Sequence, residues 1–145
     1  MLPEAIELII VTPQRQLLRE KVVSVQLPGA SGELGILPGH APLITELGNG
    51  ELSYKLSGGG EPVVLAVLSG FAEVLPDRVT VLAETAERPE DIDVNRAQQA
   101  LKRAQELIAK GGDIDWDRAS ASLQRALVRI QVVSKHQGIN IATVR

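Results

Sequence analysis

The chain has no cysteine among its 145 residues. Disulfides, thiolate metal sites and a cysteine nucleophile are therefore excluded. Histidine occurs only at His40 and His136. They are too far apart in sequence for the usual zinc-ligand spacing, so no metal site is expected. The aromatic residues are Tyr54, Phe71 and Trp116 alone. So few argue against a surface that stacks nucleic-acid bases, and no nucleic-acid partner is expected. No apolar run reaches the roughly 18 residues a membrane span needs, and no basic-then-apolar leader opens the chain. The expectation is a soluble cytoplasmic chain with no direct membrane insertion.

Acids are missing from one end. After Asp117 there is none, while Arg118, Arg125, Arg129, Lys135 and Arg145 remain. Residues 1–88 carry 11 acids and 6 bases, and residues 89–145 carry 7 acids and 9 bases. The two parts thus have net charges of −5 and +2. A basic tail of this kind fits an acidic partner surface reached with electrostatic help.

The first part reads as strands. Ile6–Val11 is rich in β-branched residues and stops at Thr12-Pro13. Val22–Leu27 stops at Pro28-Gly29, and Glu51–Leu56 alternates polar and apolar residues. Ser57-Gly58-Gly59-Gly60 then reads as a hairpin turn leading to Val63–Leu68. Ala72–Leu75 and Arg78–Ala83 flank a Pro76-Asp77 turn. Short strands with turn signals at this spacing predict an antiparallel sandwich or barrel of about eight to ten strands.

The second part reads as two helices. Pro89-Glu90-Asp91-Ile92-Asp93 has the proline and acids of a helix start. Ala97, Ala100, Leu101, Ala104, Leu107 and Ile108 then form one helical stripe, which Lys110-Gly111-Gly112 ends. After Asp113-Ile114-Asp115 a second stripe follows: Ala119, Leu123, Ala126, Leu127, Ile130 and Val133. The short joint predicts an antiparallel hairpin. The predicted fold is β + α: an N-terminal antiparallel β-sandwich over residues 1–88, then a C-terminal antiparallel two-helix hairpin over residues 89–145. Alanine-rich stripes bury little area, so the hairpin could detach without unfolding the sandwich.

The two helices are copies of one another. Residues 91–104 match residues 113–126 at eight of fourteen positions, an offset of 22. Each copy sets arginines beside the apolar stripe. Arg96 and Arg103 are nearly in line at 100° per residue, as are Arg118, Arg125 and Arg129. These rows read in two ways: stems that cover the stripe edge with their heads in water, or a cradle for a polyanion, since guanidinium forks suit phosphate. The residues alone leave both readings open.

Other motifs carry less. Gly29–Gly35 lacks the Lys-Ser/Thr and the following helix of a phosphate-binding loop, and reads as a turn. His40, between Pro38-Gly39 and Ala41-Pro42, has no serine nucleophile or orienting carboxylate in reach of the sequence pattern. No catalytic residue is therefore assigned. Trp116 is expected in the core.

Three segments together carry a resemblance. They are Gly32–Leu43 (GELGILPGHAPL), Leu68–Val74 (LSGFAEV) with Val79–Ala86 (VTVLAETA), and the Ile92-Asp93-x-x-Arg96-Ala97 element. In that order and spacing the chain resembles the epsilon-subunit family of bacterial F-type, proton-translocating ATP synthases, over essentially its whole length.

The resemblance implies a flattened β-sandwich followed by an antiparallel helix pair. It implies a non-catalytic rotor part of the central stalk, which couples the catalytic head to the c-ring during proton-driven ATP synthesis. The implied partners are the gamma subunit, the c-ring and the alpha/beta catalytic head. Glu33 and His40 would contact the polar loops of the ring. The helices, folded, would permit turnover; extended, they would block ATP hydrolysis, with Arg118, Arg125 and Arg129 meeting the head. The implied location is peripheral, on the cytoplasmic side of the plasma membrane (the cell inner membrane).

Some members of the family bind ATP in the folded hairpin. The matching positions here are Glu87, Ile92, Asp93, Arg96, Ala97, Arg103, Arg125 and Arg129. No cofactor is required, and regulatory ATP is the one ligand the resemblance implies. Two alternatives stay open at this stage: a free-standing nucleotide sensor, and a small hydrolase that uses His40.

Overall fold

The computed structural model describes residues 2–137. Arg145 and the last part of the 89–145 segment lie outside the described residues. The chain divides into two compact units, the first ending at Glu87 and the second beginning at Arg88.

The first unit holds six strands: β1 (Ile6–Val11), β2 (Gln16–Gly29), β3 (Gly32–Ile36), β4 (Leu43–Leu56), β5 (Val63–Leu75) and β6 (Arg78–Glu87). Their order in the sheet is β1-β6-β5-β4-β2-β3, and a β1–β2 pairing curls the sheet back on itself. β2 makes this possible by changing neighbours along its length. Its first half, to Val22, pairs with β1, and its second half lies between β3 and β4.

Alternation decides what faces inward. In β1, Ile6, Leu8 and Ile10 are fully buried, while Glu7, Ile9 and Val11 point the other way. Leu52, Leu65, Val67, Val74, Val79 and Val81 join them in one apolar core. Each such side chain contributes about 1.5–3 kcal/mol by leaving water. Among the described residues, no polar or charged residue is classed as buried.

The β-sandwich reading holds, with three corrections. The strands are fewer and longer than eight to ten, because Val63–Leu68 and Ala72–Leu75 are one strand, β5, and Glu51–Leu56 is only the second half of β4. Gly29–Gly35 is not all turn: Gly32–Ile36 forms β3, paired with Val25–Gly29. The pairings are not all antiparallel, since β1 and β6 run parallel. That contact joins the first and last strands of the unit, and local periodicity carries no signal for it.

The second unit holds a 3-10 turn (Pro89–Asp91), α1 (Val94–Lys110) and α2 (Trp116–His136). Pro89 therefore opens the turn rather than the helix. α1 starts after Asp93, whose carboxylate accepts the Arg96 backbone N–H at 3.1 Å. α2 starts the same way, with Asp115 accepting from the Arg118 N–H at 3.1 Å. Both are N-caps of the kind worth about 1 kcal/mol. Five residues join the helices, and α2 packs back on α1.

The stripes meet the prediction in part. Ala97, Ala104, Ala119, Ala126 and Val133 are buried, but Leu107 is 48% exposed. Val128 and Val132 are also buried, although they lie on the side of α2 opposite its predicted stripe. Trp116 is 48% exposed rather than in the core. It is the first residue of α2, just after the capping Asp115.

Candidate functional site

One face of the sandwich carries three exposed large apolar side chains among polar neighbours. Outward positions of neighbouring strands line up in two rows across β4, β5, β6 and β1. One row is Glu46, Phe71, Leu82 and Val11; the next is Ile44, Glu73, Thr80 and Ile9. Phe71 and Leu82 are each 55% exposed and Ile44 is 73% exposed. Three large apolar side chains are thus held in water on adjacent strands of a rigid sheet. Contiguous apolar surface rimmed by polar residues marks a contact site.

Gly70 sets the path of β5 at this face. It has φ +139°, and a Cβ there would lie 2.1 Å from the Leu82 carbonyl oxygen and 2.8 Å from the Ala83 Cα. Only glycine lets the two strands approach this closely beside Phe71.

Glu33 and His40 occupy another part of the first unit. Glu33 is exposed on β3, opposite Pro28 in register. His40 follows in the loop to β4, its backbone N–H donating to Leu37 O at 3.1 Å and its Nδ1 lying 2.8 Å from Ala41 O. The Gly39 N–H donates to Pro76 O at 2.8 Å, which ties this loop to the β5–β6 turn. Leu37, 63% exposed, stands between the two residues in sequence. Among the described residues no hydrogen bond or ion pair joins Glu33 to His40.

The expected nucleotide residues are dispersed in role. Glu87 is the last residue of β6 and belongs to the first unit. Asp93 is the α1 cap and binds the Arg96 N–H, while the Arg96 side chain is exposed. Ile92 and Ala97 are buried, at 9% and 4% exposure. Arg125 is half-buried, and its guanidinium donates to Ser122 Oγ at 3.3 Å. Arg129, also half-buried, is engaged as well, as is Glu87.

Arg103 differs from the rest. It is exposed and lines an open groove of about 470 Å³ between α1 and α2, together with Arg118. The remaining seven expected nucleotide residues do not line it. Sequence reasoning did not find this groove, nor Ser122 and Leu107 as its walls. It also passed over Ile44 and Leu82 as surface residues, although strand alternation from their buried neighbours would have placed both outward.

Among the described residues no group of three His, Asp or Glu side chains could hold a metal ion. Among them, no helix is long and apolar enough to cross a membrane.

Comparison with known proteins adds the lineage. The β-sandwich domain of the ATP synthase delta/epsilon chain matches residues 5–89, and the long α-helix domain of the same chain matches residues 90–134. An ATP synthase epsilon chain of Solibacter usitatus is 46% identical over 135 residues, covering 92% of this chain and 99% of that one. The epsilon chain of Koribacter versatilis is 56% identical over 109 residues, 75% of each. Two solved structures share the fold. A chain of the Euglena gracilis mitochondrial ATP synthase OSCP/F1/c-ring assembly is 24% identical, with a TM-score of 0.68 over 95% of this chain and 82% of that one. A chain of the Tetrahymena thermophila mitochondrial ATP synthase central stalk and c-ring is 12% identical, with a TM-score of 0.56 over 90% and 95%. With both of its units matched in order and the Solibacter usitatus epsilon chain aligned over nearly its full length, the chain belongs to the ATP synthase delta/epsilon family, among the epsilon chains.

Proposed function

We propose that this epsilon chain is a non-catalytic rotor subunit of the central stalk, which couples the catalytic head to the c-ring and restrains ATP hydrolysis through its helices. The observation that carries the coupling role is the apolar face of Ile44, Phe71 and Leu82. A chain that worked alone would gain nothing from three large side chains held in water, whereas a stalk subunit would cover them with its neighbour. The gamma subunit is the partner assigned to this face. Glu33 and His40, on the β3 edge and the following loop, are assigned to the polar loops of the c-ring. The fold likeness to chains from a central stalk and c-ring assembly supports this arrangement. In such a complex the chain sits peripherally on the cytoplasmic side of the bacterial plasma membrane.

The regulatory role rests on the second unit. Its helices join through small alanine contacts, and α2 has a second set of buried residues, Val128 and Val132, on another side. Such an element can exchange one set of contacts for another at a cost of a few kcal/mol. Arg118, Arg125 and Arg129 would then meet acidic surface on the alpha/beta head. ATP held by Arg96, Arg103, Arg125 and Arg129, with Glu87, Ile92, Asp93 and Ala97, would favour the folded helices by binding them more tightly than the extended form.

The test is ATP hydrolysis by a complex depleted of this subunit. Adding the wild-type chain should lower the rate, and the Arg118→Ala, Arg125→Ala, Arg129→Ala triple variant should lower it less. Equal inhibition by both chains would overturn the electrostatic brake. No effect of the wild-type chain would overturn the regulatory role.

A further inference from the structure

The apolar face of Ile44, Phe71 and Leu82 has a charged margin. Glu46 lies opposite Phe71 in register, and Glu73 lies opposite Ile44. Glu73 is also two residues beyond Phe71 on β5, and Glu84 is two beyond Leu82 on β6. Positions two apart on a strand share a face. Each of the apolar side chains therefore has a carboxylate as a neighbour. Glu46, Glu73 and Glu84 are exposed, and none of them makes an ion pair among the described residues.

The bases of this face collect at another corner. Lys21 on β2 and Arg78 on β6 are both in register with Glu7 on β1. Arg19 holds Glu7 in an ion pair of 2.6 Å. Arg78 is also diagonal to Glu73 across β5 and β6, yet among the described residues the two make no ion pair. The face is thus divided, with carboxylates on β4, β5 and β6 and a cationic corner around Glu7. Glu46 and Glu73 are diagonal neighbours across β4 and β5, about 7–8 Å apart, so their charges repel. A surface kept polar for solubility alone works best with its signs interspersed. This one separates them.

We propose that the protein surface covering Ile44, Phe71 and Leu82 is apolar at its centre and sets Lys or Arg side chains against Glu46, Glu73 and Glu84, so that charge fixes which way round the partner docks. The inference rests on the reading of this face as the stalk contact, and adds the chemistry of the partner. Pairs at the rim of an interface stay partly in water, so each contributes little to affinity. They act by steering the encounter and by rejecting wrong orientations. Turned half a circle, the same partner would bring its bases against Lys21 and Arg78. An anionic lipid surface is repelled by the three carboxylates. A second copy of this chain fits less well. The acids and the apolar trio share β4, β5 and β6, so setting the acids over the cationic corner of another copy moves each trio off its counterpart.

The test measures association and dissociation rates of the full-length chain with the gamma subunit, at about 50 mM and about 500 mM salt. The Glu46→Gln, Glu73→Gln, Glu84→Gln triple variant keeps the shape of the face, and a thermal melt verifies its fold. It should bind about ten-fold more weakly at low salt, chiefly through slower association, and differ from wild type by less than about two-fold at high salt. Phe71→Ala should lose affinity equally at both salts. Glu73→Lys should weaken binding about ten-fold at low salt, while Glu61→Lys, the same charge change in the β4–β5 turn, should stay within about two-fold. Loss in Phe71→Ala with the triple variant unchanged at low salt would overturn the basic partner surface and leave the stalk contact standing. Unchanged binding in both would overturn the two together. Equal loss in Glu61→Lys and Glu73→Lys would reduce the effect to net charge and overturn the local pairing. A free wild-type chain that sediments as a dimer, with the triple variant monomeric, would give the face to a second copy and overturn its assignment to another chain.

Discussion

Replacing Phe71 with alanine tests the exposed face directly. Phe71 is 55% exposed. A phenylalanine side chain has roughly 150–250 Å² to bury, so about 100 Å² of it stands open to a partner. At about 25 cal/mol per Å², covering that area contributes about 2.5 kcal/mol, or roughly seventy-fold in Kd. Ordering costs at an interface reduce such figures, and the expected loss is between about ten-fold and seventy-fold. Within the chain the change should be nearly silent, because an exposed substitution shifts stability by about 0.5 kcal/mol or less. The assay is calorimetric titration of the full-length chain into the gamma subunit, with the thermal melt of each variant measured beside it. Leu82→Ala, its register partner on β6, should behave likewise with a somewhat smaller loss. An affinity within two-fold of wild type for Phe71→Ala, with the fold intact, would refute the assignment of this face to the partner.

Other outcomes follow from the packing. Gly70→Ala sets a Cβ against the Leu82 carbonyl at a φ of +139°, and should cost about 2–4 kcal/mol. Urea unfolding followed by the fluorescence of Tyr54, the only tyrosine, reads it, and an unchanged midpoint would contradict the close strand approach. Leu65→Ala removes a fully buried side chain from β5 and should cost about 3 kcal/mol by the same measurement; a loss below about 1 kcal/mol would mean that the site is not closely packed. Asp93→Ala and Asp115→Ala each delete an N-cap bond and should each lower stability by about 1 kcal/mol. Thermal melts followed at the helical circular dichroism signal check this, and no shift in either would show that the caps contribute nothing.

The sequence made the division of the chain legible because the two units use different periods. Ile6–Val11 alternates with period two, and Ala97, Ala104 and Leu107 follow the helical period. Strand ends were harder to read, because glycine has two meanings. Gly50 resembles a turn signal after Asn49, yet it lies inside β4, where its missing Cβ makes room for Pro28. Gly70 likewise lies inside β5. In both places glycine marks two backbones or side chains passing closely rather than a chain reversal. The parallel β1–β6 pairing needed contacts some seventy residues apart in sequence, which no local pattern encodes.

The candidate surfaces were legible to a similar depth. The arginine rows were plain from spacing alone. Which arginines face the groove depends on how α1 and α2 register against each other, and this is what separates Arg103 and Arg118 from Arg125 on Ser122. Val128 and Val132 could have been found by carrying the 100° arithmetic round to the far side of α2. The exposed apolar trio needed the sheet order, since Ile44, Phe71 and Leu82 come from three strands that are neighbours only in the fold.

The most direct test of the account is proton-driven ATP synthesis by membrane vesicles stripped of this subunit. The vesicles are restored with the wild-type chain or with the Ile44→Glu, Phe71→Glu, Leu82→Glu triple variant, after a melt verifies that the variant is folded. A coupling subunit seated through its apolar face predicts that the wild-type chain restores synthesis and that the variant neither binds nor restores it. Equal restoration by both chains would contradict the central claim.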